Sequence, residues 1–177
     1  MKIGLVGTMS VGKTTLAKAL GETNRLKDHN VQTERSKYLR DLGIPLNTDS
    51  TLKGQFIFLA ERTSELLQPN IITDRTIWDV CAFTMNASSI SEHEKMSFIQ
   101  TALMLKNEYD LVVYVDPAGV DVEDNGVRTT DIAYRNKIDK TIRDLLAANP
   151  PHLLVKVKGT TEERVKAVLE AVSKYLS

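Results

Sequence analysis

The sequence predicts an α/β fold, a three-layer sandwich in which helices cover both faces of a five-stranded parallel sheet. Three observations carry this expectation. Short β-branched apolar runs alternate along the chain with stretches whose apolar residues recur at three- and four-residue spacing, so strand and helix take turns. Each apolar run ends in residues of chemical interest, which a parallel sheet would gather along one edge. The 177 residues show neither an internal repeat nor a low-complexity segment, and residues 1–177 read as one domain large enough to bury a core.

Lys2-Ile3-Gly4-Leu5-Val6 is the first strand, and Leu16, Ala17 and Leu20 give the first helix its apolar stripe up to Gly21. Between them runs Gly7-Thr8-Met9-Ser10-Val11-Gly12-Lys13-Thr14, which fits G-x-x-x-x-G-K-[ST] in the strand-to-helix context that gives the pattern its meaning. The two glycines let successive N–H groups turn inward toward phosphate oxygens, helped by the positive end of the helix beginning near Lys13. Lys13 is expected to reach the β- and γ-phosphates, Thr14 to ligate Mg²⁺, and Thr15 to continue the nucleotide contacts.

Val31-Gln32-Thr33 is a short second strand that leads into Glu34-Arg35, and a helical stretch from Lys37 to Leu42 stops at Gly43 and Pro45. Asn47 to Ser50 is a polar connection. Leu52, Phe56, Leu59, Ala60, Thr63 and Leu67 mark an amphipathic helix closed by Pro69. Asn70-Ile71-Ile72-Thr73 is a buried-type strand running into Asp74-Arg75, with a helix at once behind it. Ser91 and Glu94 form a capping box that opens a helix reaching Lys106. Leu111 to Val115 is a central parallel strand ending in Asp116-Pro117. After a polar stretch, Ile132 to Leu146 is helical as far as Pro150-Pro151, and His152 to Val157 is the fifth strand. A second capping box, Thr160 with Glu163, opens the last helix.

Composition excludes several classes of function. Lys and Arg total 23 and so do Asp and Glu, so the basic excess needed for sequence-independent nucleic-acid binding is missing. Cys81 is the only cysteine, which excludes an internal disulfide and a cysteine-rich zinc cluster. No apolar run approaches membrane-spanning length, and the first strand starts at Lys2. The expectation is a cytoplasmic protein that contacts neither membrane nor nucleic acid. His29, His93 and His152 lack metal-ligand spacing. Asp116-Pro117-Ala118-Gly119 and Asn136-Lys137-Ile138-Asp139 imitate a GTPase pair, but the second lies inside a helical pattern with Ile138 on its apolar stripe.

In order and spacing, three further stretches together with the loop resemble the P-loop kinases of the nucleoside and nucleoside-monophosphate type, most closely the NadR-like group. These are Thr33 to Arg40 with Asp41 to Leu46, Ile72 to Thr76, and Asp124-Asn125-Gly126-Val127-Arg128-Thr129. The resemblance implies an AAA-type ATP-binding domain of the P-loop NTPase superfamily, strand order 2-3-1-4-5, and a lid over 117–135 closing on the donor phosphates. It also implies ATP and Mg²⁺ as cofactors, Arg128 as a lid cation, and Gly159 near the adenine. Position 37 is lysine where the group's pattern calls for arginine.

The residue chemistry agrees with phosphoryl transfer, in which protein groups mainly position reactants and stabilise charge. Asp74, at the end of a buried strand, is expected to hold Mg²⁺ with Thr14, or to cap the helix from Thr76. Arg75 is placed to grip phosphate oxygens, or to pair with Asp74 or Glu34. Glu34 is a candidate base for a hydroxyl acceptor, or a solvated glutamate at a helix start. The neighbouring Arg35, Lys37 and Arg40 would instead suit a monophosphate. Arg135 is a second lid cation or a surface charge. Trp78, Cys81, Phe83 and Met85 would line an acceptor pocket or belong to the core.

The function expected is ATP- and Mg²⁺-dependent transfer to a small nucleoside-type acceptor, nicotinamide riboside first, with Lys13, Glu34, Asp74, Arg75 and Arg128 as its catalytic residues. A thymidylate-type monophosphate kinase is the alternative within this class. A P-loop ATPase switch acting on a protein partner is the alternative outside it. A homodimer is compatible with each.

Overall fold

The structure is a computed structural model, and it describes residues 1–118 and 131–175. Five parallel strands, β1 (Lys2–Val6), β2 (Asn30–Gln32), β3 (Ile71–Asp74), β4 (Leu111–Val115) and β5 (Leu154–Val157), lie in the order β2-β3-β1-β4-β5. The helices among the described residues are α1 (Lys13–Gly21), α2 (Ser36–Asp41), α3 (Leu52–Glu65), α4 (Ile77–Met85), α5 (Glu92–Leu103), α6 (Ile132–Ala148) and α7 (Thr161–Tyr175). The expected fold class and strand order are therefore those observed.

The sheet divides the core in two. Ile3 and Leu5 of β1 and Val113 and Val115 of β4 pack with Leu16 and Leu20 of α1 and Val168 and Val172 of α7. On the other face, Val112 and Tyr114 pack with Trp78 of α4, Phe98 of α5 and Ile138 and Ile142 of α6. Alternate residues of one strand thus serve opposite layers, as the two-residue period of a strand requires. Most of these residues are fully buried, and burying such a side chain contributes about 1.5–3 kcal/mol.

Several boundaries differ from the sequence reading. Asp74 is the last residue of β3, paired in register with Leu5, because the ladder to β1 extends one residue further than the apolar run. The helix expected to reach Lys106 ends at Leu103, and a separate 3-10 turn occupies Lys106–Glu108. The fifth strand starts at Leu154, opposite Val112, since its extent is set by its partner. Asn47–Asp49 forms a 3-10 turn within the polar connection. Both expected capping boxes are present: Ser91 N–H donates to Glu94 Oε2 at 2.9 Å and Thr160 N–H to Glu163 Oε2 at 2.8 Å.

Candidate active site

The glycine loop is held from both sides. A Cβ on Gly7 would sit 2.8 Å from the Val115 carbonyl, so only glycine lets the loop leave β1 alongside β4. Gly12, with φ 82° and ψ 21°, supplies the left-handed turn that starts α1. Lys13 is buried, and its Nζ donates to the carbonyls of Gly7 at 2.7 Å and Thr8 at 2.6 Å. Burial, reinforced by the nearby Arg75 charge, lowers the Lys13 ammonium to about 8. Thr8 Oγ1 donates to the Arg135 carbonyl at 3.0 Å, Met9, Ser10 and Val11 are buried, and Thr15 is exposed at the start of α1. The Val11 carbonyl accepts from Arg164 Nη1 at 2.7 Å.

β1 is central, so its neighbour β3 delivers the acid–arginine pair beside the loop. Thr14 Oγ1 donates to Asp74 Oδ2, and Asp74 Oδ1 is buried with no hydrogen-bond partner. The capping role considered for Asp74 belongs to Thr76, which forms a capping box with Asp79. Arg75 has a positive φ of 104°, rare for a side chain of this kind, while its N–H is tied to the Leu5 carbonyl at 3.0 Å. Its guanidinium lies between two carboxylates, 3.4 Å from Glu34 and 3.7 Å from Asp79, and over the Phe83 ring at 5.0 Å.

Asp79 was not singled out from the sequence, although Thr76-x-x-Asp79 is itself a legible capping-box pattern. It is fully buried and accepts from Thr76 N–H at 2.7 Å, Thr76 Oγ1 at 2.9 Å and Gly7 N–H at 3.3 Å. Burial pushes its carboxyl upward, opposed by the charges of Lys13 and Arg75. A single carboxylate thus joins the glycine loop to Arg75.

A pocket opens between this network and α3. Its walls include Met9, Glu34, Gln55, Phe58, Arg75 and Phe83. Gln55 is only 2% exposed, and its side-chain amide makes no hydrogen bond among the described residues, so it faces the pocket with donor and acceptor available. Apolar spacing concealed Gln55, because it lies one position from the stripe that identifies α3. The Glu34 side chain is 11% exposed, which removes the solvated reading.

The basic residues beside Glu34 are not gathered there. Arg35 pairs with Glu61 at 3.5 Å and lies over the Tyr38 ring at 4.6 Å, and Arg40 pairs with Asp41 at 2.9 Å. Trp78 and Cys81 are core residues, Met85 is largely exposed, and of this group Phe83 alone lines the pocket.

Farther along the edge, Asp116 is engaged by Lys156 at 2.8 Å. The GTPase-like segment lies within α6, and its Asp139 accepts from Tyr114 Oη at 2.6 Å and from Arg143 Nε at 3.0 Å. Arg135 is buried, with Nη2 3.5 Å from the Pro117 carbonyl, so the surface-charge reading does not apply. Gly159, at φ 87°, sits between β5 and α7, against the Glu163 side chain. Arg128 and residues 119–130 of the expected lid lie outside the described residues.

The residues fit a magnesium ion. Asp74 presents an unpartnered buried carboxylate oxygen next to the Thr14 hydroxyl, hard oxygen donors of the kind Mg²⁺ takes together with phosphates and water. Among the described residues no group of three His, Cys, Asp or Glu side chains forms an all-protein metal site. No helix among them is long and apolar enough to cross a membrane.

The fold has counterparts among solved structures. Deoxyadenosine kinase from M. mycoides with bound dCTP aligns over 98% of this chain and 100% of its own, with TM-score 0.69 and 18% identity. The YorR protein of Bacillus subtilis, in complex with phosphorylated GDP, aligns over 98% and 96% with TM-score 0.61 and 18% identity. Shikimate kinase from Aquifex aeolicus aligns over 99% and 98% with TM-score 0.56 and 14% identity. At such identities these are likenesses of fold. No curated protein matches the chain in sequence. The family model described as AAA domain matches residues 2–164, and the chain belongs to that family.

Proposed function

We propose that the protein is an ATP- and Mg²⁺-dependent kinase that phosphorylates a hydroxyl of a small nucleoside-type acceptor. The observation that carries this reading is the position of Glu34. Its carboxylate lines the same pocket as Met9 of the phosphate loop and is steadied by Arg75, within the enclosure where a donor on the loop and an acceptor in the pocket would meet. An acceptor hydroxyl gains from a nearby carboxylate that takes its proton, whereas an acceptor phosphate does not need one. The pairing of Arg35 with Glu61 and of Arg40 with Asp41 weakens the monophosphate alternative, leaving Arg75 as the cation that lines the pocket among the described residues.

Each group then has a task. Gly7 to Thr14 cradles the donor phosphates, and Lys13 exchanges its carbonyl contacts for phosphate oxygens. Thr14 and Asp74 would hold Mg²⁺, which would supply neutralisation of phosphate charge. Arg75 steadies Glu34 and faces the transferred group, and Gln55 with Phe83 offers hydrogen bonds and a ring face to a heterocyclic base. Arg128 is assigned to the lid by its motif. The fold neighbours include kinases of a nucleoside and of shikimate, both small molecules, in keeping with this class of reaction.

The test is a panel of nucleosides, nicotinamide riboside first, and nucleoside monophosphates, read by ATP loss and product mass. Glu34→Gln is expected to reduce transfer to a hydroxyl by ~10²-fold or more and to leave transfer to a monophosphate nearly unchanged. ATP turnover indifferent to every acceptor, but raised by another protein, would overturn the kinase reading in favour of an ATPase switch.

A further inference from the structure

Arg164 is a buried cation in an unfavourable place. It is 5% exposed in the first turn of α7, near the positive end of that helix's dipole, where a positive charge is disfavoured. Two other buried arginines have carboxylate partners: Arg62 lies 2.6 Å from Glu65, and Arg75 lies between Glu34 and Asp79. Arg164 makes no ion pair among the described residues. Its hydrogen bond is the one from Nη1 to the Val11 carbonyl, and its Nε is buried without a partner. The nearest carboxylate in sequence, Glu163, accepts the Thr160 N–H and serves the helix cap.

An uncompensated buried charge is costly and persists where something else supplies its counter-charge. The guanidinium lies against the glycine loop, where a Cβ added to Gly12 would come within 3.2 Å of Nη1. By fixing the Val11 carbonyl it helps set the peptide that leads into Gly12 and so the direction of the N–H groups beyond it. The same loop is the one whose nest and helix terminus suit several negative charges.

We propose that Arg164 belongs to the donor-nucleotide site: it braces the loop through Val11 and holds in reserve a positive charge that the phosphates of ATP neutralise. The inference rests on the reading of Gly7 to Thr14 as the ATP loop and does not depend on the acceptor. It couples α7, the last helix of the chain, to nucleotide binding, and it predicts that the empty protein carries an electrostatic cost that ATP relieves.

The experiment is calorimetric titration with ATP and magnesium of the unmodified protein, Arg164→Met, Arg164→Gln and Arg164→Lys, with the melting temperature of each taken with and without ATP. The methionine and glutamine variants are expected to bind ATP about 10-fold more weakly or worse, the scale of one charge-assisted hydrogen bond. Their nucleotide-free melting temperature is expected to hold or rise, so the ATP-induced increase shrinks. Arg164→Lys, which keeps the charge, is expected to recover most of the affinity.

A lower nucleotide-free melting temperature with unchanged ATP affinity is the signature of a bracing residue only and overturns the inference, as does a lysine variant as weak as Arg164→Met. Arg164→Gln retains an N–H donor for Val11 and decides the matter if Arg164→Met fails to fold. Absence of ATP binding by the unmodified protein would instead overturn the donor reading itself, and this inference with it.

Discussion

At the scale of the residue, the site is a set of charges whose partners were chosen by the fold. Lys13 is the clearest case. Its ammonium, held at about 8 by burial, is satisfied by loop carbonyls, which phosphate oxygens replace in the proposed function. Phosphate favours the charged form and raises that value, so ATP binding near pH 8 should take up a proton, and the uptake should fade toward pH 6, where Lys13 is already charged. Titrations at pH 8 in buffers of different ionisation heat would reveal it; identical apparent enthalpies in every buffer would count against it. The catalytic test at this scale is Glu34→Gln, because in the proposed function Glu34 is the group that separates a hydroxyl acceptor from a phosphate acceptor. Glu34 and Arg75 were legible from the sequence as residues, but their 3.4 Å pairing was not, since nothing in spacing says which arginine turns toward which acid.

At the scale of the element, α1 and α4 are the two helices whose starts build the site. Gly12 begins α1 from a left-handed conformation, so Gly12→Ala is expected to destabilise the fold by about 1–2 kcal/mol, measurable by urea unfolding, and to weaken ATP binding. α4 begins with the Thr76–Asp79 box, and that carboxylate also accepts from Gly7 and faces Arg75. Asp79→Asn keeps the size, loses the charge, and presents an amide where Gly7 needs an acceptor. A loss of about 2 kcal/mol or more in the same unfolding assay is expected, together with a fall in turnover; a stability equal to that of the unmodified protein would show that the box is only a cap. Pattern rules identify a box of this kind in sequence, yet they do not reveal that its acid reaches back across the sheet edge to another element.

At the scale of the whole molecule, strand order explains why the site exists. With β1 central, the loop emerges between the end of β3, which carries Asp74 and Arg75, and the end of β4, which carries Asp116. The α1–α7 layer backs the glycine loop, and α3 with α4 walls the pocket. The layer that contains α3 meets the sheet through a buried polar tie, Arg62, whose Nη1 lies 3.5 Å from the Asp74 carbonyl while Nη2 pairs with Glu65 at 2.6 Å. Burial raises the Glu65 carboxyl from its ordinary 4.5 to about 7, partly offset by Arg62.

The folded state therefore binds this proton more tightly than the unfolded chain does. Between those two values, folding stability should fall as pH rises, and it should level off above pH 7. Glu65→Gln removes this slope, so urea unfolding of both proteins from pH 4.5 to 8 should give a stability difference that moves in that window and is flat above it. A constant difference would refute the assignment.

By itself the sequence determined the α/β alternation, the five strands, the glycine loop and the positions of Glu34, Asp74 and Arg75 at strand ends. These follow from local information: apolar period, glycine spacing and the rule that a parallel sheet concentrates chemistry at one edge. The tertiary structure alone decided which side chains share a pocket, how Asp79 ties Gly7 to Arg75, why Gln55 faces inward, and that Arg164 lies buried against the loop from more than a hundred residues away. Such contacts depend on the registers of separate elements and on competition for partners among buried charges, and neither quantity is encoded in any short stretch of the chain.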